Sequence, residues 1–177
     1  MSTSNSKPYS KQRILGIDPG SRFTGFALID SDGRHSVHVH SGCIKLGKQT
    51  FPERLGLIYT ELAALIRDYS PTQMAIENVF VSKNPSSALK LGQARGAAIC
   101  AGVVQGLPVG EYTPREVKQA IVGKGSADKT QVQHMTKILL NIHTTLQEDQ
   151  ADALGIALCH AHTSAFHNKI KQAGNGF

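Results

Sequence analysis

A chain of 177 residues, 40% of them hydrophobic, is sized for a single domain with a substantial core. Lys and Arg number 19 against 13 Asp and Glu, and the resulting formal net charge of +6 favours a polyanionic partner such as nucleic acid. No apolar run reaches the roughly 18 residues that span a bilayer, and the N-terminal MSTSNSKPYSKQ carries no hydrophobic signal core, so neither a membrane partner nor export is expected. The three cysteines, Cys43, Cys100 and Cys159, are odd in number, widely separated and without CxxC spacing. That pattern argues against a disulfide framework or a zinc knuckle and fits a reducing, cytoplasmic compartment.

Residues 1–12 read as a disordered extension. The stretch Ile14 to Gly25, ILGIDPGSRFTG, is an apolar run that ends on Asp18 and is broken at once by Pro19 and Gly20. It predicts a buried strand delivering a carboxylate to its tip, held there by a tight turn. Gly25 to Ile29 continues as a second strand, and Asp30 to Gly33 carries an Asp-Gly reversal signal. A third strand is expected from His35 to Leu46. Within it Val37 and Val39 alternate with His38 and His40, which predicts a packed valine face and a wet histidine face. On that reading His35, His38 and His40 are solvent-face residues and not metal ligands.

Thr50 and Glu53 form a capping box at the start of a helix whose apolar face is Leu55, Ile58, Leu62, Leu65 and Tyr69, and Ser70-Pro71 ends it. Met74-Ala75-Ile76 is a fourth strand, again finishing on an acid, Glu77. Asn84 and Pro85 suit the N-cap and first position of a helix reaching Val104. Its Gly92, Ala94, Gly96, Ala97, Ala98, Ala101 and Gly102 lower helix propensity but admit close approach by the sheet or by a second subunit. Val109 to Tyr112 is a fifth strand, and Thr113 to Glu116 a further capping box for a helix ending at Gly123. A glycine-hinged basic loop follows, then a helix from Ala127 to Leu140 capped by Ser126. After a polar link the last helix runs from Asp149 to Thr163, and residues 164–177 read as a flexible tail. Residues 13–163 thus form the one folded domain.

Asp18 and Glu77 both end strands, while Asp149 and Asp152 stand three apart and so share one helix face. If the first and fourth strands are neighbours and the last helix crosses their tips, four carboxylates converge. Like charges at such range raise one another's pKa values and oppose folding, and a hard divalent cation removes that cost. Oxygen-only ligation suits Mg²⁺ or Mn²⁺, and two ions about 4 Å apart would act on a phosphodiester. Taken singly, each acid would serve equally as a turn or helix cap. Cys159, His160 and His162 lack a fourth zinc ligand and read as a helix face packed on the sheet.

The runs ILGIDPGSRFTG, AIENVF, NPSSALKLGQARGAA, VKQAIVGKGSADKTQVQHM and QADALGIAL resemble, in order and spacing, those of the RuvC family of Holliday-junction resolvases. The resemblance implies an α/β, ribonuclease H-like fold, a five-stranded mixed sheet flanked by helices, in a homodimer. It further implies Mg²⁺-dependent paired nicking of four-way junction DNA, with two ions per subunit, Mn²⁺ as a substitute, and handover from a branch-migration motor of the RuvA and RuvB type. Position by position, Asp18, Glu77, Asp149 and Asp152 match the family's catalytic, metal-binding acids. Phe80 matches an aromatic placed against bases at the junction centre, and Lys118 and Lys129 match basic residues near the scissile phosphate.

Lys83, Lys90, Arg95, Arg115 and Lys124 are further DNA-contact candidates, of which about half are expected to touch phosphate. Lys124 stands where the family pattern carries an apolar residue. Two other classes of function compete. An actin-like or sugar-kinase-like ATPase uses a similar Asp-Gly-Ser hairpin, but it needs a second phosphate loop for which this length leaves no room. A non-catalytic junction-binding module would not need all four acids. The KLGQAR and VKQ runs argue against the shorter relatives that act in RNA processing.

Overall fold

The computed structural model describes residues 11–78 and 84–174. Five strands, β1 (Gln12–Asp18), β2 (Phe23–Ser31), β3 (Ser36–Lys45), β4 (Gln73–Glu77) and β5 (Val109–Tyr112), form one sheet in the order β3-β2-β1-β4-β5. The first three are antiparallel neighbours, and β4 and β5 run parallel to β1. This is the mixed five-stranded sheet implied by the resemblance. Helices α1 (Phe51–Tyr69) and α2 (Pro85–Val104) cover one face. Helix α5 (Glu148–Gly174) lies on the other, with α3 (Pro114–Val122) and α4 (Lys129–Leu139) packed outside it.

The local signals explain most of these boundaries. Thr50–Glu53 and Thr113–Glu116 both close as reciprocal capping boxes, and Asn84 accepts hydrogen bonds from the Ser86 and Ser87 amides at the head of α2. Helix α3 stops at Gly123, whose φ of 81° a side chain with a Cβ would resist. On α2 the small residues divide by face. Ala94, Ala98, Ala101 and Gly102 are buried against the sheet and α1, whereas a Cβ added at Gly92 or Gly96 would meet nothing within 4 Å among the described residues.

Three expectations are corrected. In β3 the pairing slips between Leu28 and Ile29, which leaves Val39 as an extra residue and breaks the alternation. Val37 is consequently 56% exposed, and His40 turns onto the packed face, stacked on Tyr69 at 5.2 Å and 5.4 Å from Phe26. The cap of α4 is Asp128 and not Ser126. Asp128 accepts from the Gln131 amide at 2.8 Å while its own amide donates to Gln131 Oε1 at 3.1 Å, a reciprocal pair that Ser126 cannot make because the residue three beyond it is Lys129, which has no acceptor. Finally, α5 does not stop at Thr163. The sequence from Ser164 to Ala173 contains neither glycine nor proline, so no residue breaks the helix before Gly174.

What positions α5 is a row of small residues across the sheet. Ser41, Ala27, Gly16, Ala75 and Gly110 are successive cross-strand partners on the α5 face. A Cβ on Gly16 would lie 2.4 Å from the Ala153 carbonyl oxygen, and one on Gly110 would lie 2.7 Å from His160 Nδ1. The helix therefore sits closer to the sheet than larger side chains would permit.

Where α4 meets α5, Thr136 is fully buried and its Oγ1 has no hydrogen-bond partner among the described residues. Desolvating a hydroxyl without a partner is unfavourable, so Thr136→Val, which keeps the shape, should stabilise the fold by about 1 kcal/mol. Thermal denaturation should show a rise of roughly 2–4 °C; an unchanged or lower midpoint would mean that the hydroxyl is satisfied in solution.

Candidate active site

The next cross-strand row towards the strand ends carries the chemistry. Asp18 pairs with Gly25, which pairs with Cys43, and the parallel register places Glu77 beside Asp18 and opposite Tyr112. Residues in register on neighbouring strands share a face, so Asp18 and Glu77 both project on the α5 side. Gly25 is the gap in that row. A Cβ there would stand 2.0 Å from the Asp149 carbonyl oxygen, so the first turn of α5 rests directly on the backbone of β2.

That turn is also tied laterally. Gln150 Nε2 donates to Ser41 Oγ at 2.9 Å and to the Ser41 carbonyl at 3.3 Å, and Gln150 Oε1 accepts from the Gln147 amide at 3.1 Å. The far side of Ser41 Oγ meets His38 Nε2 at 2.8 Å. Glu77 is fixed from below, because Arg95 Nε donates to its carbonyl oxygen at 3.0 Å while the same guanidinium pairs with Glu111.

Asp18, Glu77, Asp149 and Asp152 are near enough to act on one another electrostatically. Burial, then the charges of Glu77, Asp152 and Asp149, push the Asp18 carboxyl up to about 8, against an ordinary 3.8. Burial and Asp152 raise Glu77 as well, and Asp149 is raised chiefly by burial. One cation enters the cluster. Lys129, at the start of α4, places Nζ 2.7 Å from Asp152 Oδ2 and also pairs with Glu148. Burial opposes the charged ammonium, but its bonds to Asp152 and Glu148 prevail and raise its pKa. Gln133, one helical turn on, donates to Asp152 Oδ1 at 3.4 Å.

Among the described residues no three His, Cys, Asp or Glu side chains close around a common ion position. The donor set nonetheless fits a hard divalent cation: it is oxygen-only, and Asp18, held to about 8 first by burial and then by the neighbouring carboxylates, would ionise readily beside a cation. The alternative histidine and cysteine readings fall away. His160 is buried between Tyr112, 2.8 Å from Nδ1, and Gln73 at Nε2, and His162 Nδ1 reaches the Ala120 carbonyl.

The remaining basic candidates are dispersed. Lys118 is half-buried on α3, and Lys90 lies over the Phe51 ring, 5.9 Å from its centroid. Arg115 and Lys124 line an open concavity of about 540 Å³ with Gln119, Gly123, Gly125 and Ser126. Phe80 and Lys83 lie outside the described residues. Sequence reasoning missed Glu148, Gln133 and Gln150. Only Glu148 left a trace, as an acid in the first turn of a helix.

A family model described as crossover junction endodeoxyribonuclease RuvC matches residues 14–160. The chain belongs to the RuvC family. A RuvC from Dichelobacter nodosus (strain VCS1703A) is 58% identical over 150 residues, 85% of each chain. Another, from Marinobacter nauticus, is 58% identical over 161 residues, covering 91% of this chain and 92% of that one. Among solved structures, RuvC from Thermus thermophilus superimposes with a TM-score of 0.81 at 31% identity, over 88% of this chain and 96% of that one. The same protein in complex with a Holliday junction substrate gives 0.84 at the same identity and coverage. The ribonuclease H-like architecture is thereby established, and RuvC membership extends over the span that carries all four acids. Among the described residues no helix is long and apolar enough to cross a membrane.

The raised carboxyls make a pH prediction for the metal-free protein. Asp18, Glu77 and Asp149 hold protons to higher pH when folded than when unfolded, so their contribution to stability falls as pH rises between about pH 4 and 8, opposed below about pH 6.5 by His160, whose pKa burial lowers to about 4. In EDTA the melting temperature should decline between about pH 6.5 and 8, where the histidine no longer contributes. Asp18→Asn should flatten the decline and raise the midpoint at pH 8 by roughly 2–4 °C, on the order of 1 kcal/mol. A wild-type midpoint that climbs from about pH 6.5 to 8, or an Asp18→Asn midpoint that falls as steeply as the wild type's, would contradict the buried-repulsion account.

Proposed function

We propose that this chain resolves four-way DNA junctions by paired, symmetric hydrolysis of phosphodiester bonds, in recombination and repair. The observation that carries the reading is the four-acid cluster at the tips of β1 and β4 under the first turn of α5, in a chain of the RuvC family. The Thermus thermophilus relative complexed with a Holliday junction substrate supports the choice of DNA. Asp18, Glu77 and Asp152, with Asp149 assisting, would hold Mg²⁺, two ions per subunit, and Mn²⁺ would substitute. When bound, such ions supply Lewis acidity for an attacking water and for the leaving oxygen.

The chain's own residues supply position and charge. Asp18 and Glu77 are set by two central strands, and Asp149 and Asp152 by one helix, so no donor depends on a loop. Lys129 lies against Asp152 and would offset negative charge developing on the phosphoryl oxygens; Lys118 is the second candidate for that role. Phosphate contacts from Lys90, Arg115 and Lys124 would fix the DNA without reading sequence. Arg95 fits better as a support for Glu77, since its guanidinium is already engaged with the Glu77 carbonyl and Glu111. The products would be a 5′-phosphate and a 3′-hydroxyl.

Paired nicks need two active sites, and a homodimer through α2 would provide them. Leu89, Gly92, Gly96, Cys100 and Val103 recur every three or four residues along its outer side, with Leu89 68% and Val103 56% exposed. Handover from a RuvA and RuvB type motor, and a cytoplasmic location, rest on the family relationship and on the unpaired cysteines.

Two experiments test the reading. With a synthetic mobile four-way junction and Mg²⁺, the wild type should make paired nicks, while Asp152→Asn should bind the junction but cut at least ~100-fold more slowly. Equal cutting by both would remove Asp152 from the site, and equal cutting of linear duplex would remove the junction as substrate. Gly96→Leu should shift sedimentation towards monomer; an unchanged dimer would place the interface elsewhere.

A further inference from the structure

The site has a second flank that the acids and Lys129 leave unused. Phe23, the first residue of β2, is 43% exposed although it is among the largest apolar side chains of the sheet. Its face is fixed by register. Gly25, two residues on, meets Asp149 of α5, and Ala27 and Ile29 belong to the core under α5, so Phe23 projects on the same face beyond the end of that helix. Its cross-strand partner on β3 is Lys45, also exposed, and Arg22 is exposed in the turn that leads from Asp18 into β2.

The pair adjoins the acid cluster. Cys43, two residues from Lys45 on the same face, lies within the electrostatic reach of Asp149, Asp18 and Lys45 together. Among the described residues neither Lys45 nor Arg22 forms an ion pair, and the Phe23 ring has no aromatic or cationic partner. Lys129 thus reaches the carboxylates from α4, while Phe23 and Lys45 stand beside them on the β3 flank. An exposed ring beside a free lysine, with a second cation one residue away in the chain, suits a nucleic-acid strand, whose backbone takes the charges and whose base or sugar takes the ring. An acidic peptide would use the cations but gives no reason for the ring to be apolar and bare.

We propose that Phe23 and Lys45, with Arg22, form a second strand-gripping surface that holds the DNA on the β3 flank of the acids, the ring stacking on an unpaired base and Lys45 contacting a phosphate. The assignment rests on the junction-cutting reading and adds residues to it.

Junction binding measured by fluorescence anisotropy in EDTA, as a function of salt, tests it. Lys45→Ala should weaken binding ~3–10-fold and reduce the salt slope by about one unit, with Lys45→Arg restoring both. Phe23→Ala should weaken binding of a junction with unpaired central bases at least ~5-fold while leaving the salt slope in place, with Phe23→Tyr restoring affinity. Equal loss by Lys45→Ala and Lys45→Arg, or an unchanged slope for Lys45→Ala, would overturn the phosphate contact. Wild-type affinity for Phe23→Ala would overturn the stacking contact. Wild-type cutting of the same junction in Mg²⁺ separates the two levels: if the wild type does not cut it in preference to linear duplex the function itself fails, whereas if it does while the Phe23 and Lys45 variants bind like wild type, only this surface fails.

Discussion

The close seating of α5 on the sheet is the constraint on which the rest depends. Gly16 and Gly25 leave no room for a Cβ beneath Ala153 and Asp149, and Ala27, Ala75, Gly110 and Ser41 continue the same shallow trough across all five strands. Dispersion and burial then favour a helix lying flat in that trough. Residues 153–154 and 156–159 are almost wholly buried along it. Because the acids occupy the turn just before this buried stretch, their position follows from packing. Raising the helix by the thickness of one methyl group would move Asp149 and Asp152 away from Asp18 and Glu77.

That geometry has an electrostatic consequence opposite to its packing benefit. The tight seating that stabilises the core also brings carboxylates together where water is partly excluded, and Asp18 responds by keeping its proton well above the ordinary range. Lys129 relieves part of the strain by lying on Asp152 and Glu148, and Arg95 fixes Glu77 through its backbone without neutralising its carboxylate. The remaining uncompensated charge is what makes the cluster receptive to a cation. Stability of the metal-free fold and readiness to bind metal are therefore opposed at Asp18, Glu77 and Asp149.

Much of this was legible in the sequence because its signals are local. The strand-ending acids, the capping boxes at Thr50 and Thr113, the Asn84-Pro85 start and the Gly123 stop each act within a few residues, and the chain folds there as they indicate. The expectations that failed depend on distant partners or on weak local competition. Val37 and Val39 alternate with His38 and His40 in sequence, yet a bulge opposite Leu28 and Ile29 decides which of them faces the core. Ser126 and Asp128 are both acceptable caps, and the choice falls to Asp128 because Gln131 returns its hydrogen bond. Gln150 gives no sign in the sequence that its partner is Ser41, more than a hundred residues away.

The division of labour between elements follows from the same packing. Donors carried by β1, β4 and α5 are held by hydrogen-bonded ladders and a buried helix. The β1–β2 turn and the α3–α4 loop flank them and carry exposed cations, Arg22 in one and Lys124 in the other. Change at Arg22 or Lys124 alters how a strand is gripped without shifting the carboxylates, because both side chains are exposed and neither is a donor. Change along Gly16, Gly25 or Ala153 has no such freedom: the row that lowers α5 onto the sheet also sets the distance between the two halves of the acid cluster.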